Sequence, residues 1–417
     1  MTPSIGRSTT RRSFLAGCAA LTAAPRLRAV RRDAQSLILM WLDGGMSHID
    51  TFDAKPEAAV EIRGDLRSIR GATDGTFLAE GLPGIAARLD RATLIRSITH
   101  GEGNHDRGSN LLLTGAHPSP VLRAPSLGSI VAARTASARH ALPVYIAVPD
   151  APAEGGAGFL PATCTPFAVG GDPARPDFRV RDLTPRDVDG ARAFLDLLDA
   201  ADGTPRSDGE RARDGYVRAA ARLSAEPELR EAFALAKEPA ERRDRYGHHR
   251  LGQSCLLAAR LVRHGARVVL VRDVGWDHHQ HIARELTTGF PPRLRALDEG
   301  ISALLDDLRD GPLAGRTMLC VASEFGRTPR INPAGGRDHW PRAQSVLIAG
   351  AGIAEGVVVG RTDARGEEPV ERALAPEDLF ATLVDRLGID SSPLHTSAGR
   401  PHRVVAPDAE VIREICT

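Results

Sequence analysis

The chain has 417 residues, 42% of them hydrophobic and 26% charged, with a formal net charge of +1. That composition excludes a disordered or membrane-embedded chain and allows a large buried core, in one domain or two. Residues 1–29 hold five arginines and no acid, so the remainder is net acidic, and nothing electrostatic points to nucleic acid or an anionic membrane surface as partner.

Thr10-Arg11-Arg12-Ser13-Phe14-Leu15 places a twin arginine before the apolar residues Phe14 to Ala24, with small residues for cleavage near Ala24 or Ala29. It resembles a twin-arginine export signal. Residues 1–29 are therefore expected to be recognised by the twin-arginine translocase, leaving residues 30–417 as a single domain in the periplasm or outside the cell. No other segment is long enough to span a bilayer. Cys255 falls in a helical pattern and Cys320 in a strand, so both read as buried free thiols rather than as a metal or redox pair.

Ser36 to Leu42 (SLILMWL) reads as a buried strand, and it runs into Asp43-Gly44-Gly45-Met46-Ser47-His48-Ile49-Asp50. A carboxylate at a strand end followed by two glycines allows the backbone to approach a bound ion closely. Asp43 is a candidate ligand; Ser47 and Asp50 are either site residues or caps of a following helix. Leu82 to Leu89 reads as a helix and Thr93 to Thr99 as a strand. A polar stretch follows, His100-Gly101-Glu102-Gly103-Asn104-His105-Asp106-Arg107-Gly108-Ser109, leading into an apolar Leu111 to Leu113. Such a loop opening a helix is either an anion site or plain surface. Ser126 to Arg134 and Val144 to Val148 suggest a helix and a strand, and Ala151 to Asp177, rich in Gly and Pro, an irregular loop. From Thr184 to about Tyr246 the pattern is helical and charged, an insertion spanning about 180–250.

Gln253 to His264 then forms a helix feeding the strand Arg267 to Arg272 (RVVLVR). Gly275 and Trp276 turn the chain, and Asp277, His278, His279 and His281 follow within five positions. In open α/β sheets ligands bind beyond the carboxyl ends of the strands, where this cluster would lie, and carboxylate with imidazole suits Zn, Mn or Fe. Leu294 to Leu308 is an amphipathic helix. Thr317 to Ala322 (TMLCVA) is another buried strand, ending in Ser323-Glu324-Phe325-Gly326-Arg327; Gly335-Gly336-Arg337-Asp338-His339-Trp340 and the strand Gln344 to Ala349 come after it. Repetition of strand, polar end and helix predicts a doubly wound, mainly parallel α/β fold with a helical insertion.

Acids and histidines after separate strands, in this order, resemble the alkaline phosphatase, phosphomutase and sulfatase superfamily. They resemble more closely a large bacterial family grouped with it, the domain of unknown function 1501 family. Residues 82 to 115 are similar to the sulfatase segment that runs through the nucleophile into a Leu-Thr-Gly helix, and APEDLFATLVDRLGI to the superfamily's C-terminal helix. GGMSHIDTFDAKP, GWDHH, SEFGRTPRIN and GRDHWP are similar to the bacterial family.

The resemblance implies an alkaline-phosphatase-like fold and one or two divalent ions, Zn or Mn. Asp277 with His279 or His281, and His339, would hold one ion, and Asp43 with Glu324 the second. The superfamily's usual spacing favours His281, and the bacterial family's Trp-Asp-x-His pattern favours His279, which we take. Two positions depart. His105 stands where the sulfatase nucleophile is expected, which opens for it the roles of nucleophile, ligand or general acid/base, with Ser47 or Ser109 as substitutes. Phe325 stands where a ligand is expected. The implied function is hydrolysis of a phosphate or sulfate ester, with Arg107 and Arg327 neutralising the substrate anion; the alternative is a non-catalytic binder of an anionic ligand such as a sulfated glycan.

Overall fold

The computed structural model describes residues 33–135, 142–180, 227–289, 292–391, 395–397 and 400–417, with a few scattered positions between 190 and 221. The proposed export signal, residues 1–29, lies outside the described residues, as does most of the expected insertion. Of the latter, short helices are seen at Pro227–Ala232 and Ala240–Tyr246. Leu229, Phe233 and Tyr246 from this stretch are buried in the main core.

Eight strands form one sheet: β1 (Ser36–Asp43), β2 (Ala92–Ile98), β3 (Tyr145–Val148), β4 (Phe167–Ala168), β5 (Val268–Val274), β6 (Thr317–Ala322), β7 (Gln344–Gly350) and β8 (Val357–Val359). Their spatial order is β8-β2-β7-β6-β1-β5-β3-β4. All neighbours are parallel except β7, which runs antiparallel to both β2 and β6. β4 arises within the stretch expected to be an irregular loop, because two residues of it pair with the exposed edge of β3.

Continuous apolar runs build this sheet because both of its faces are covered. Along β1 the side chains alternate: Ile38, Met40 and Leu42 enter one core cluster, Leu37, Leu39 and Trp41 the other. Helices α1 (His105–Thr114), α2 (Leu127–Thr135), α3 (Arg250–Arg263), α4 (Arg293–Arg309) and α5 (Pro376–Arg386) divide between them. Residues of α3 and α4 pack with Ile38 and Met40; residues of α1, α2 and α5 pack with Leu37 and Trp41. The fold is thus a three-layer, doubly wound α/β arrangement with a mainly parallel sheet. Cys255 and Cys320 are buried free thiols within it. Among the described residues no helix is long and apolar enough to cross a membrane.

Register brings the polar loops to one edge. Asp43 pairs with Val274 across β1 and β5, and Trp41 with Ala322 across β1 and β6, so three adjacent parallel strands end together. The reversed β7 begins where those strands end, and its first residue, Gln344, stands opposite Ile98 of β2. The segments after β1, β2, β5 and β6 and the one before β7 therefore converge on a single rim.

Candidate metal centre

On that rim Asp277 is the meeting point. His279 Nε2 lies 3.0 Å and His339 Nε2 3.5 Å from its Oδ1, and His105 Nε2 3.4 Å from its Oδ2. The Nε2 atoms of His279 and His339 are 3.1 Å apart. Donor atoms of His105, Asp277 and His339 all fall within 4.8 Å of one another.

The opposite nitrogen of each ring faces an acceptor. His279 Nδ1 is 2.9 Å from Asp338 Oδ1, His339 Nδ1 is 2.7 Å from the Gly103 carbonyl, and His105 Nδ1 is 2.6 Å from Glu324 Oε1. A carbonyl or carboxylate can only accept, so each Nδ1 carries the proton, and in the neutral ring Nε2 then presents a lone pair. His105, Asp277 and His339 close into one mutually adjacent donor set, which His279 adjoins through Asp277 and His339; imidazoles oriented by outer partners beside a carboxylate suit a divalent cation. The residues present fit the metal that the resemblance implies.

Local charge is shaped accordingly. Burial pushes the Asp277 carboxyl upward, but the Arg327 guanidinium together with the His105 and His279 imidazoles outweighs it and holds the group below its ordinary value. The Glu324 hydrogen bond raises His105, whereas burial lowers His339. The Phe325 ring is wholly buried and stands 5.0 Å from the His105 ring and 4.7 Å from that of His339. The position expected to offer a ligand instead supplies a wall that fixes two imidazoles.

Other candidates from the sequence are placed differently. His281 is exposed and caps the helix Ile282–Thr287 in a left-handed conformation, with its backbone N–H on Ala334 O; it does not join the cluster. Asp43 receives Arg272 Nε at 2.6 Å and Nη2 at 2.5 Å on its Oδ2. Burial raises the Asp43 pKa despite that pairing. Glu324 is fully buried, and its Oε1 accepts from Gly44 N (2.9 Å) as well as facing His105. Ser47 is buried and donates to Asp50 Oδ2 at 2.5 Å, and Asp50 in turn pairs with the buried Arg337.

Arg327 was expected to meet substrate, but it is fully buried. Its guanidinium donates to Gly45 O (2.8 Å), Arg337 O (2.9 Å), Gly44 O and Asp277. With those donors occupied it positions Asp277 rather than a ligand. Arg107 is exposed and paired with Glu102.

Reading the sequence missed Asp338, Arg272 and the Gly103 carbonyl. Asp338 had a signal, an acid immediately preceding a candidate histidine; the carbonyl had none.

No curated protein matches the sequence. Among solved structures, the alkaline phosphatase from the Antarctic bacterium TAB5 is similar at TM-score 0.40 and 12% identity, over 86% of this chain and 99% of that one. A putative sulfatase from Bacteroides thetaiotaomicron VPI-5482 is similar at TM-score 0.34 and 13% identity, over 86% and 72%. The phosphonate monoester hydrolase SpPMH from Silicibacter pomeroyi is similar at TM-score 0.35 and 12% identity, over 91% and 76%. Residues 34–416 match the model of a family described as a protein of unknown function (DUF1501), and the chain belongs to that family.

Proposed function

We propose that the protein is an exported, metal-dependent hydrolase of phosphate or sulfate esters, directed to the periplasm or beyond by its twin-arginine segment. The observation that carries this reading is the convergence of imidazole Nε2 atoms on Asp277, each ring held from behind by an acceptor. Asp277, His279 and His339 would hold the ion, Zn or Mn by ligand type. A divalent ion at such a site supplies Lewis acidity toward a phosphoryl or sulfuryl oxygen.

The chain's own residues set the conditions for that chemistry. Arg327 fixes the Asp277 carboxylate, and Asp338 and Gly103 O fix the planes of His279 and His339. Arg107 is the side chain we assign to the substrate anion. Its pairing with Glu102 is an exposed, solvent-screened ion pair, so an ester can take the guanidinium at small cost.

A panel of aryl phosphates, phosphodiesters and aryl sulfates with added Zn or Mn tests the proposal beside Asp277→Ala and His339→Ala. Metal-dependent turnover, lost in both variants while they remain folded, supports it; undiminished turnover in the variants refutes it. A second reading, a non-catalytic binder of a sulfated glycan or similar anion, is favoured by His105 standing where a hydroxyl or thiol nucleophile was expected. That protein would show ligand-dependent stabilisation without turnover.

A further inference from the structure

We infer that the centre takes a single divalent ion in a three-histidine, one-carboxylate set, with His105 as the fourth ligand rather than as a nucleophile. The inference rests on the metal reading above and goes beyond it in the number of ions and in the role of His105.

His105 has the same arrangement as the two histidines already assigned. Its Nδ1 is held by the buried Glu324 at 2.6 Å, and its Nε2 is turned toward Asp277 Oδ2 at 3.4 Å. The ring is fixed on both flanks, by Phe325 at 5.0 Å and His339 at 4.4 Å. It sits at the first position of α1, where Asn104 caps the helix by accepting the Arg107 N–H, so its backbone is fixed as well. A carboxylate behind an imidazole orients the ring and raises its basicity as a ligand, which is the usual partner arrangement for a metal-bound histidine.

The carboxylates expected to hold a second ion are already occupied. Asp43 accepts a hydrogen bond from Arg272 Nε and is ion-paired with its Nη2, and the same guanidinium reaches Asp150 at 2.8 Å. Glu324 is surrounded by Gly44 N, Ser323 Oγ (2.9 Å) and His105, with no exposed surface. A second divalent ion there would have to displace a guanidinium and strip His105 of its partner. The positive charge at that place is supplied by Arg272.

The test is metal stoichiometry and affinity on the full mature chain, stripped and then titrated with Zn2+ by calorimetry. Mass-spectrometric metal content and the visible spectrum of the Co2+-loaded protein accompany it. Wild type should take one equivalent. His105→Ala, and His105→Gln as a second variant of similar bulk, should weaken Zn2+ binding by about 100-fold and alter the Co2+ spectrum. Glu324→Gln should weaken it by about 10–100-fold, as loss of an outer partner typically does. Asp43→Asn should leave one equivalent bound at near wild-type affinity.

Two equivalents in wild type, or loss of an ion in Asp43→Asn, overturns the single-ion assignment. Unchanged affinity and Co2+ spectrum in both His105 variants overturns its role as ligand. Either result leaves the metal reading of the preceding section standing, whereas a wild-type chain that takes no ion overturns both.

Discussion

Substituting Gly44 by alanine should disturb Asp277 from a distance in sequence of more than two hundred residues. Gly44 has φ +121°, and a Cβ there would stand 2.6 Å from Asp277 N and 2.9 Å from both Trp276 N and Trp276 C. These are backbone atoms and cannot rotate away. Ordinary contact begins at 3.4 Å, so the Trp276–Asp277 peptide must retreat by about 0.8 Å, the difference between that distance and 2.6 Å. Overpacking of this kind costs about 1–3 kcal/mol. Holding alanine in a sparsely populated backbone region costs about 1–3 kcal/mol more, offset by roughly 0.4–1 kcal/mol from the stiffer unfolded chain. The expected net loss is about 1–6 kcal/mol of stability, measured by urea unfolding. Because a displacement near 1 Å costs on the order of 100-fold where geometry matters, Zn2+ affinity should fall by a similar factor in calorimetry. Gly75→Ala is the control, since Gly75 also has positive φ (+70°) but nothing within 4 Å of its would-be Cβ. That variant should show the backbone strain alone. If Gly44→Ala lost no more stability than Gly75→Ala and bound Zn2+ as wild type does, the close-approach argument would be refuted.

Further outcomes follow from the same geometry. Phe325→Ala removes a fully buried ring between two imidazoles and should cost about 3–5 kcal/mol in urea unfolding; a loss under about 1 kcal/mol would show that the wall is dispensable. His279→Ala should abolish tight Zn2+ binding while His281→Ala retains it, and the reverse pattern in a calorimetric titration would transfer the ligand role to His281. His100 gives a pH signature. Burial pushes its imidazole down from 6.5 to about 4, so the folded state resists a proton that the unfolded chain accepts. Its stabilisation is full above about pH 6.5 and is lost as pH falls toward 4, by up to about 3 kcal/mol. The difference in unfolding free energy between wild type and His100→Asn should therefore move in the variant's favour as pH falls through that interval, and parallel curves would count against the shift.

Six of the eight strands were legible because they are short apolar runs with no polar alternation, as in a sheet covered on both faces; the edge strands β4 and β8, of two and three residues, were not. The rim was legible too, since each run ends in acid or imidazole. What one dimension hides is which atom turns where. His279 and His281 have the same side chain two positions apart, and a left-handed turn at His281 separates them. Gly44 and Gly45 read as room for an ion; they instead admit the Trp276–Asp277 backbone and the Phe325 ring, whose Cε2 would lie 2.5 Å from a Cβ on Gly45. Arg327 has the composition of an anion binder, and only its burial among the carbonyls of Gly44, Gly45 and Arg337 reveals that its donors are occupied. Each of these facts depends on a partner far along the chain, so no local pattern carries it.

The long spans between partners also govern when the centre exists at all. Glu324 meets His105 across 219 positions and Gly103 O meets His339 across 236, and the meeting requires β7 to be seated in reverse between β2 and β6. Closing loops of that size in an unfolded chain carries a substantial entropy cost, so no short fragment and no partly formed sheet presents all four donors. An ion that binds only the completed fold adds RT ln(1 + [L]/Kd) to its stability, about 4 kcal/mol when free metal exceeds Kd a thousandfold. Metal occupancy then reports on the whole tertiary structure, and a substitution that loosens a distant strand will register as weakened Zn2+ binding before any residue of the centre has been touched.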